Sequence, residues 1–176
     1  MKWFRIRRED PLVLVLRGVP IFGGLGRSHL REISTMLQKQ TYAPGRKIFE
    51  QGQPGLGLYI LVSGEVEIAQ EDEDGASPVL SRLMPGEFFG ELALLDDAPR
   101  TATATAIEES ELAVFFRTSL LTLAEDRPHV GVEALMHLSQ IVAERLRRTN
   151  RALKEARDQL EAMSQSSETG PEPGEA

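Results

Sequence analysis

Two charged residues of opposite sign, Glu91 and Arg100, stand nine positions apart in the segment GELALLDDAPRTA, which runs from residue 90 to residue 102. The residues that follow Gly90 are compatible with one helical turn, and the first amides of a helix have no partner within it. Such amides bind anions, and the helix dipole adds to the attraction. A guanidinium donates two parallel hydrogen bonds to a phosphate, so Arg100, at the expected start of the next strand, could serve the same anion.

The carboxylate of Glu91 leaves two interpretations of this segment open. Because it would repel an anion, Glu91 would instead accept a hydrogen bond from a neighbouring hydroxyl, and a phosphate beside a ribose hydroxyl describes a nucleotide. The small side chain of Ala93 would let such a ligand approach the backbone. Alternatively, Glu91 and Arg100 form a surface ion pair that closes a turn and contributes ~0–1 kcal/mol.

Composition narrows the classes of function. The chain has 176 residues, a hydrophobic fraction of 41% and a net charge of −7, from 20 basic and 27 acidic residues. This apolar content is enough for a core, whereas the acidic balance disfavours a general nucleic-acid binder. The absence of cysteine excludes disulfides and thiolate catalysis. The longest early apolar run, Leu12 to Leu16, is too short for a membrane span of about 20 residues, so we expect a cytoplasmic protein without a transmembrane segment.

Enzyme chemistry finds little support in the sequence. A metal site inside a β-barrel would need several histidines on strands, but His29, His129 and His137 all lie outside the strand-rich region. No serine or threonine has a partner histidine that would make it a nucleophile. We therefore expect no catalytic residue and no metal ligand.

Hydrophobic periodicity separates helical regions from a strand-rich region. Asp10-Pro11 predicts the start of a short helix that ends near Gly18. Short alternating or apolar runs such as Val79 to Leu83 predict at least six strands, with a hairpin turn at Ser63-Gly64 and a strand from Thr101 to Ile107. The expected organisation is an N-terminal helical segment (1–40), a β region (41–116) that contains the segment 86–102, C-terminal helices (117–163) and a disordered tail (164–176).

The long C-terminal helix, expected from His129 to about Met163, contains an apolar pattern near its C-terminal end. Leu146, Thr149, Leu153, Ala156, Leu160 and Met163 follow one another at intervals of three and four residues. This spacing is typical of a coiled-coil seam and would support a homodimer. The alternative is an amphipathic helix that folds back on its own domain.

The segment PGEFFGELALLDDAPRTATATA resembles the phosphate-binding cassette of the cyclic-nucleotide-binding domain family. VPIFGGL resembles the N-terminal helical segment of that family, and YAPGRKIFEQGQPGLGLYILVSGEVEI resembles its first strands. The likeness runs from about Leu12 to near Asn150. It implies a mainly β fold: an eight-stranded jelly-roll barrel with an N-terminal helical segment and a long C-terminal helix.

The resemblance implies a role for each matching residue. Glu91 would accept the ribose 2′-hydroxyl, Arg100 would pair with the cyclic phosphate, and Thr101 would offer its hydroxyl to the phosphate or the base. The remaining roles are a phosphate-lining backbone at Gly90, Leu92 and Ala93, an apolar wall beside the base at Ile68, Leu80 and Leu83, and a lid at Arg145. The wall residues fit a plain core position equally well.

These features predict a cyclic-nucleotide sensor that favours cAMP over cGMP and needs no cofactor besides this ligand. It would signal by movement of the long helix to a separate effector protein. Transcription factors of the family carry a helix-turn-helix after the long helix, and this sequence shows none, so direct DNA binding is not expected. The alternative is a nucleotide-independent scaffold that acts through the long helix.

Overall fold

The computed structural model describes residues 10–72 and 74–168. Within these residues, eight strands lie between two pairs of helices: α1 Pro11–Gly18, α2 Arg27–Met36, β1 Gln38–Tyr42, β2 Lys47–Phe49, β3 Gly57–Ser63, β4 Val66–Ala69, β5 Val79–Leu83, β6 Phe88–Phe89, β7 Thr103–Ala106, β8 Ser110–Phe116, α3 Arg117–Asp126 and α4 Pro128–Glu168. Two 3-10 helices are inserted, Pro20–Phe22 and Glu91–Leu94, and the second is named the cassette helix here.

The described strands form two antiparallel sheets of four. The first sheet has the order β1-β8-β3-β6 and the second has the order β2-β7-β4-β5. A mainly β jelly roll with flanking helices is therefore confirmed, but the closed barrel is wrong, because the strands divide into two separate sheets. One apolar cluster takes a residue from nearly every strand of both sheets, so the sheets pack face to face: Phe49, Leu61, Val66, Phe89, Ala104 and Leu112.

The turn at Ser63-Gly64 connects the two sheets. A hairpin is predicted there from the sequence, and this prediction is wrong, because β3 belongs to the first sheet and β4 to the second. Gly64 has a φ of 92°, and a Cβ at this position would lie 2.5 Å from the carbonyl oxygen of Glu109. Glycine therefore lets the chain pass close to the β7–β8 connection as it crosses between sheets.

Burial differs between the sheets. In the first sheet, the central strands β3 and β8 have four and five buried residues out of seven, whereas the edge strand β1 has none. In the second, β5 is an edge strand with four exposed residues out of five, among them Leu80. The first sheet is thus buried at its centre, and the second has an exposed edge strand at β5.

The acidic hairpin loop predicted after β4 is present and links β4 to β5. The side chain of Gln51 anchors its start: Oε1 accepts a hydrogen bond from the Glu71 amide at 2.9 Å, and Nε2 donates to the Glu71 carbonyl at 3.1 Å. Beyond this clamp, Oδ1 of Asp72 accepts hydrogen bonds from the amides of Asp74 and Ala76. The loop is therefore fixed at its base by one amide side chain and within itself by one carboxylate.

Contacts divide the chain into two compact units, residues 1–138 and 139–176. The second unit is the C-terminal part of α4, which continues past Met163 to Glu168; the rest of the predicted disordered tail lies outside the described residues. Leu146, Leu153 and Leu160 are exposed on this helix at intervals of seven residues. No helix in the described part of the chain has the length and apolar character that a bilayer crossing requires.

Candidate functional site

The segment that carries Glu91 and Arg100 begins with a left-handed glycine. Gly90 has φ 72° and ψ 21° and directly precedes the cassette helix. A Cβ on Gly90 would lie 2.5 Å from Nη1 of Arg100. Glycine is therefore needed twice, for the backbone conformation and for the space that the guanidinium occupies. The helical turn expected at Glu91 is present as a 3-10 helix.

Glu91 and Arg100 are both buried, with 4% and 7% of their surfaces exposed. A surface ion pair that closes a turn does not describe two side chains that are removed from solvent. Burial lowers the pKa of Arg100, and interactions with Tyr59 and with Glu91 oppose this shift. Because buried charges cost stability unless they are paired or hydrogen-bonded, such a pair is typical of a functional site.

Two backbone carbonyls hold the guanidinium of Arg100. Nη1 donates to the Gly90 oxygen at 3.0 Å, and Nη2 donates to the Gly57 oxygen at 2.9 Å. Gly57 lies in β3, where a Cβ would clash with the carbonyl oxygen of Phe115 on β8. Nε of Arg100 is buried and has no hydrogen-bond partner among the described residues. Two of the five N–H groups of the guanidinium are thus bonded to backbone carbonyls, and the side chain of Tyr59 also interacts with it.

The backbone of Arg100 is fixed by a neighbouring loop. The start of a strand, expected at this residue, lies instead at Thr103. The Arg100 amide donates to the Gln53 oxygen at 2.8 Å, and its carbonyl accepts from the Gly52 amide at 2.8 Å. The backbone of Arg100 is therefore hydrogen-bonded to the β2–β3 loop just before β7 begins. These bonds fix the position of the Arg100 backbone in the site.

Two aromatic rings that the sequence did not indicate lie against the guanidinium. Cζ of Arg100 is 4.1 Å from the ring centroid of Phe49 and 5.5 Å from that of Tyr59. Tyr59 stacks on Phe89 with centroids 5.4 Å apart and an angle of 14° between the rings. Phe49, Tyr59 and Arg100 lie far apart in the sequence, and no regular spacing relates them. Only the number of aromatic residues in this part of the chain could have suggested that rings lie near the cassette.

The other cassette residues differ in exposure. Ala93 is buried and Leu92 is exposed. A Cβ on Gly55 would lie 2.7 Å from the Cβ of Ala93, so the cassette helix packs closely on the β2–β3 loop. Thr101 is exposed, in contrast to the buried arginine before it. The structure therefore brings Gly90, Glu91 and Arg100 together in the interior and leaves Leu92 and Thr101 at the surface.

The three residues predicted to form the apolar wall do not share one environment. Ile68 on β4 and Leu83 on β5 are partly buried and pack against the core cluster. Leu80 is 56% exposed and lies at an irregularity of β5, because Ile68 pairs with Ser81 and Ala69 pairs with Val79. Arg145, the predicted lid, is an exposed residue of the second unit. The roles of these four residues remain predictions.

The histidines lie on helices, outside the sheets. The rings of His29 on α2 and His129 on α4 face each other edge to face, with centroids 5.7 Å apart. Among the described residues, no group of three histidine, aspartate or glutamate side chains could hold a metal ion.

Residues 39–127 match the family model of the cyclic nucleotide-binding domain. The chain belongs to this family. It is 35% identical to the CRP-like cAMP-activated global transcriptional regulator of Mycobacterium tuberculosis over 139 residues. The aligned residues cover 79% of this chain and 60% of that protein. The structure of the Thermus thermophilus catabolite activator protein is similar to it with a TM-score of 0.71 and 34% identity, over 78% of this chain and 62% of that chain.

A third relative belongs to a different class of cyclic nucleotide-binding protein. The regulatory domain of Toxoplasma gondii PKA, solved with cAMP, is similar with a TM-score of 0.61 and 30% identity, over 67% of this chain and 45% of that chain. The recognition of the family from its cassette is therefore confirmed.

These relatives also correct one prediction. The expectation that the protein does not bind DNA rested on a helix-turn-helix that this sequence lacks. It is contradicted, because the relative in M. tuberculosis is a transcriptional regulator, a class that acts on DNA. The chain spans about 60% of the length of that regulator, so where the chain ends says nothing about DNA.

Proposed function

We propose that this protein is a sensor that binds a cyclic nucleotide, cAMP in preference to cGMP, and passes the signal through its C-terminal helix to an effector protein. The observation that carries the proposal is the buried pair of Glu91 and Arg100 inside the region matched by the cyclic nucleotide-binding domain. The proposed role is regulatory, and no residue is assigned to catalysis.

Each part of the ligand has a chemically suitable partner in the cassette. The guanidinium of Arg100 donates to the cyclic phosphate, and its burial strengthens this charge-assisted bond because water competes little with the phosphate. The carboxylate of Glu91 accepts a hydrogen bond from the 2′-hydroxyl of the ribose. Backbone groups at Gly90, Leu92 and Ala93 complete the surroundings of the phosphate.

The preference for cAMP is supported by two relatives, one named as cAMP-activated and one solved with cAMP. The hydroxyl of Thr101 is compatible with cGMP as well, since it can donate to a purine or accept from it. The preference is therefore expected to be a matter of degree, with measurable binding of both nucleotides.

Isothermal titration of the full chain with cAMP and with cGMP tests the proposal. We expect saturable heat with a stoichiometry of about one ligand per chain and a lower Kd for cAMP. A lower Kd for cGMP would overturn the preference. The absence of heat with either nucleotide, together with no shift in melting temperature, would favour the nucleotide-independent scaffold.

Signalling through the C-terminal helix has a separate test. If residues after Ile141 order over the bound nucleotide, the substitution Arg145→Ala and a deletion after Ile141 should both weaken cAMP binding, because the helix would favour the bound state. Arg151→Ala is the matched control, since it removes an exposed arginine of the same helix that is paired with Glu144. Unchanged affinity in the deletion would contradict the lid.

A further inference from the structure

We propose that Phe49 and Tyr59 are positioning residues that hold the guanidinium of Arg100 in the orientation in which it binds the anion. The inference rests on the proposed function of the cassette and extends it to two residues outside the cassette. Neither ring would touch the ligand in this role; both act through Arg100.

The rings and the carbonyls restrain the guanidinium in different directions. A cation attracts the face of an aromatic ring, and Phe49 lies 4.1 Å from Cζ of Arg100. The carbonyls of Gly90 and Gly57 accept hydrogen bonds from the two terminal nitrogens, which lie in the guanidinium plane. The rings therefore limit where the plane lies, and the carbonyls limit rotation within it.

The ring of Tyr59 is itself supported. Phe89 stacks on it with centroids 5.4 Å apart, and Phe49 lies 5.5 Å from it. Phe49 belongs to the second sheet, whereas Tyr59 and Phe89 belong to the first. The guanidinium is thus held by rings from both sheets, so its position depends on the packing of one sheet against the other.

The buried Nε of Arg100 shows that this orientation is imposed by the surroundings. A buried donor without an acceptor costs stability, and Nε has no hydrogen-bond partner among the described residues. A side chain free to turn would move this donor to an acceptor or to water. The rings and the two carbonyls instead keep the guanidinium in one place before the ligand arrives, which lowers the ordering cost of binding.

Substitutions of buried phenylalanines separate positioning from packing. Phe49→Leu removes a ring that faces the guanidinium, whereas Phe22→Leu removes a buried ring that packs edge to face on Phe115. Both variants should lose similar stability in thermal melts. In titrations with cAMP, we expect Kd to rise about tenfold for Phe49→Leu and less than about threefold for Phe22→Leu. Equal losses of affinity would overturn the proposal.

Tyr59 allows a test by conservative replacement. Tyr59→Phe keeps the ring and removes the hydroxyl, whereas Tyr59→Leu removes both. If the ring positions Arg100, Tyr59→Phe should retain affinity within about threefold and Tyr59→Leu should lose about tenfold. A loss in Tyr59→Phe as large as that in Tyr59→Leu would assign the effect to the hydroxyl and overturn the role of the ring.

NMR of the ligand-free protein keeps this inference separate from the proposed function. The Nε–H signal of Arg100, assigned by its disappearance in Arg100→Lys, should exchange slowly with water in the wild type. It should broaden in Phe49→Leu and persist in Phe22→Leu. If the wild type binds neither nucleotide, the proposed function fails, and this signal still decides the inference: the same behaviour in both variants would overturn it.

Discussion

The anion end and the predicted apolar wall of the candidate site differ in burial and in the elements that form them. The anion end draws on both sheets, because the Gly57 carbonyl and the Tyr59 ring of the first sheet and the Phe49 ring of the second surround the buried Arg100. The second sheet contributes the predicted apolar wall, on strands β4 and β5, where Ile68 and Leu83 are only partly buried and Leu80 is exposed.

This difference follows from the chemistry of each half. An anion is held tightly by donors that are desolvated and fixed before it arrives, and such donors need a buried framework. An apolar surface needs only approximate complementarity, so it tolerates exposure and variation. We therefore expect substitutions at the anion end to have large and specific effects, and substitutions at the wall to have small ones.

The largest effect is expected for Arg100→Ala. Removing one partner of a buried, charge-assisted hydrogen bond should raise Kd for cAMP by about 100-fold or more. Arg82→Ala is the control from the second sheet, because Arg82 is an exposed arginine paired with Glu65 and Glu67, and it should leave Kd within about twofold. Titration calorimetry gives both values. If Arg100→Ala changed Kd by less than twofold, the site would be wrongly assigned.

Gly57→Ala should destabilise the fold more than any change at the wall. The added Cβ would clash with the backbone of Phe115 and lie 2.9 Å from Cα of Phe116, and overpacking of this kind costs about 1–3 kcal/mol of unfolding free energy. Gly18→Ala is the control, because a Cβ there meets nothing within 4 Å. Urea denaturation measures both. Equal stabilities of the two variants would show that the first sheet yields more readily than its burial indicates.

The two leucines of β5 should differ in their effect on stability. Leu83→Ala removes a partly buried contact with the core cluster and should cost about 1–2 kcal/mol, whereas Leu80→Ala at the exposed face should cost less than about 0.5 kcal/mol. The same denaturation experiment compares them. A loss in Leu80→Ala that matches Leu83→Ala would mean that the exposed face of β5 is covered in solution.

A smaller effect, dependent on pH, is expected at Tyr42 on β1. Burial, followed by the interaction with Tyr59, raises the pKa of Tyr42 above 10.0, and its hydroxyl donates to Oε1 of Gln40 at 2.7 Å. Because the fold favours the neutral phenol, this contribution is fully present below about pH 10 and is lost as pH rises through the folded-state pKa. Unfolding free energies between about pH 9 and 11 should fall less steeply in Tyr42→Phe. Parallel curves would contradict this.

Elements with local signals could be predicted from the sequence. The helix Pro11–Gly18 begins where Asp10-Pro11 indicated, and Oδ1 of Asp10 accepts a hydrogen bond from the Leu12 amide at 3.0 Å. Strand Val79–Leu83 also has the predicted bounds. In both cases the bounds of the element are determined by residues close in sequence, so composition and periodicity are enough to predict them.

Features that depend on distant pairing could not be predicted in this way. The Ser63-Gly64 turn has the composition of a hairpin, but which strands pair is decided by the packing of the whole chain, and β3 pairs with β6 and β8. The rings of Phe49 and Tyr59 meet Arg100 only after both sheets have formed. Glu91 and Arg100 could be predicted as site residues because they belong to one contiguous motif. Their burial could not be predicted from that motif.

The clamp between Gln51 and Glu71 makes the β4–β5 loop a natural insertion point. Because both backbone groups of Glu71 are bonded at the base of the loop, added residues beyond it need not disturb the strands. Gly75 stands at the tip, with nothing within 4 Å of a Cβ, and closure of a longer loop costs little. A fluorescent label grafted beside Gly75 would therefore lie beyond the clamp and leave the paired strands intact.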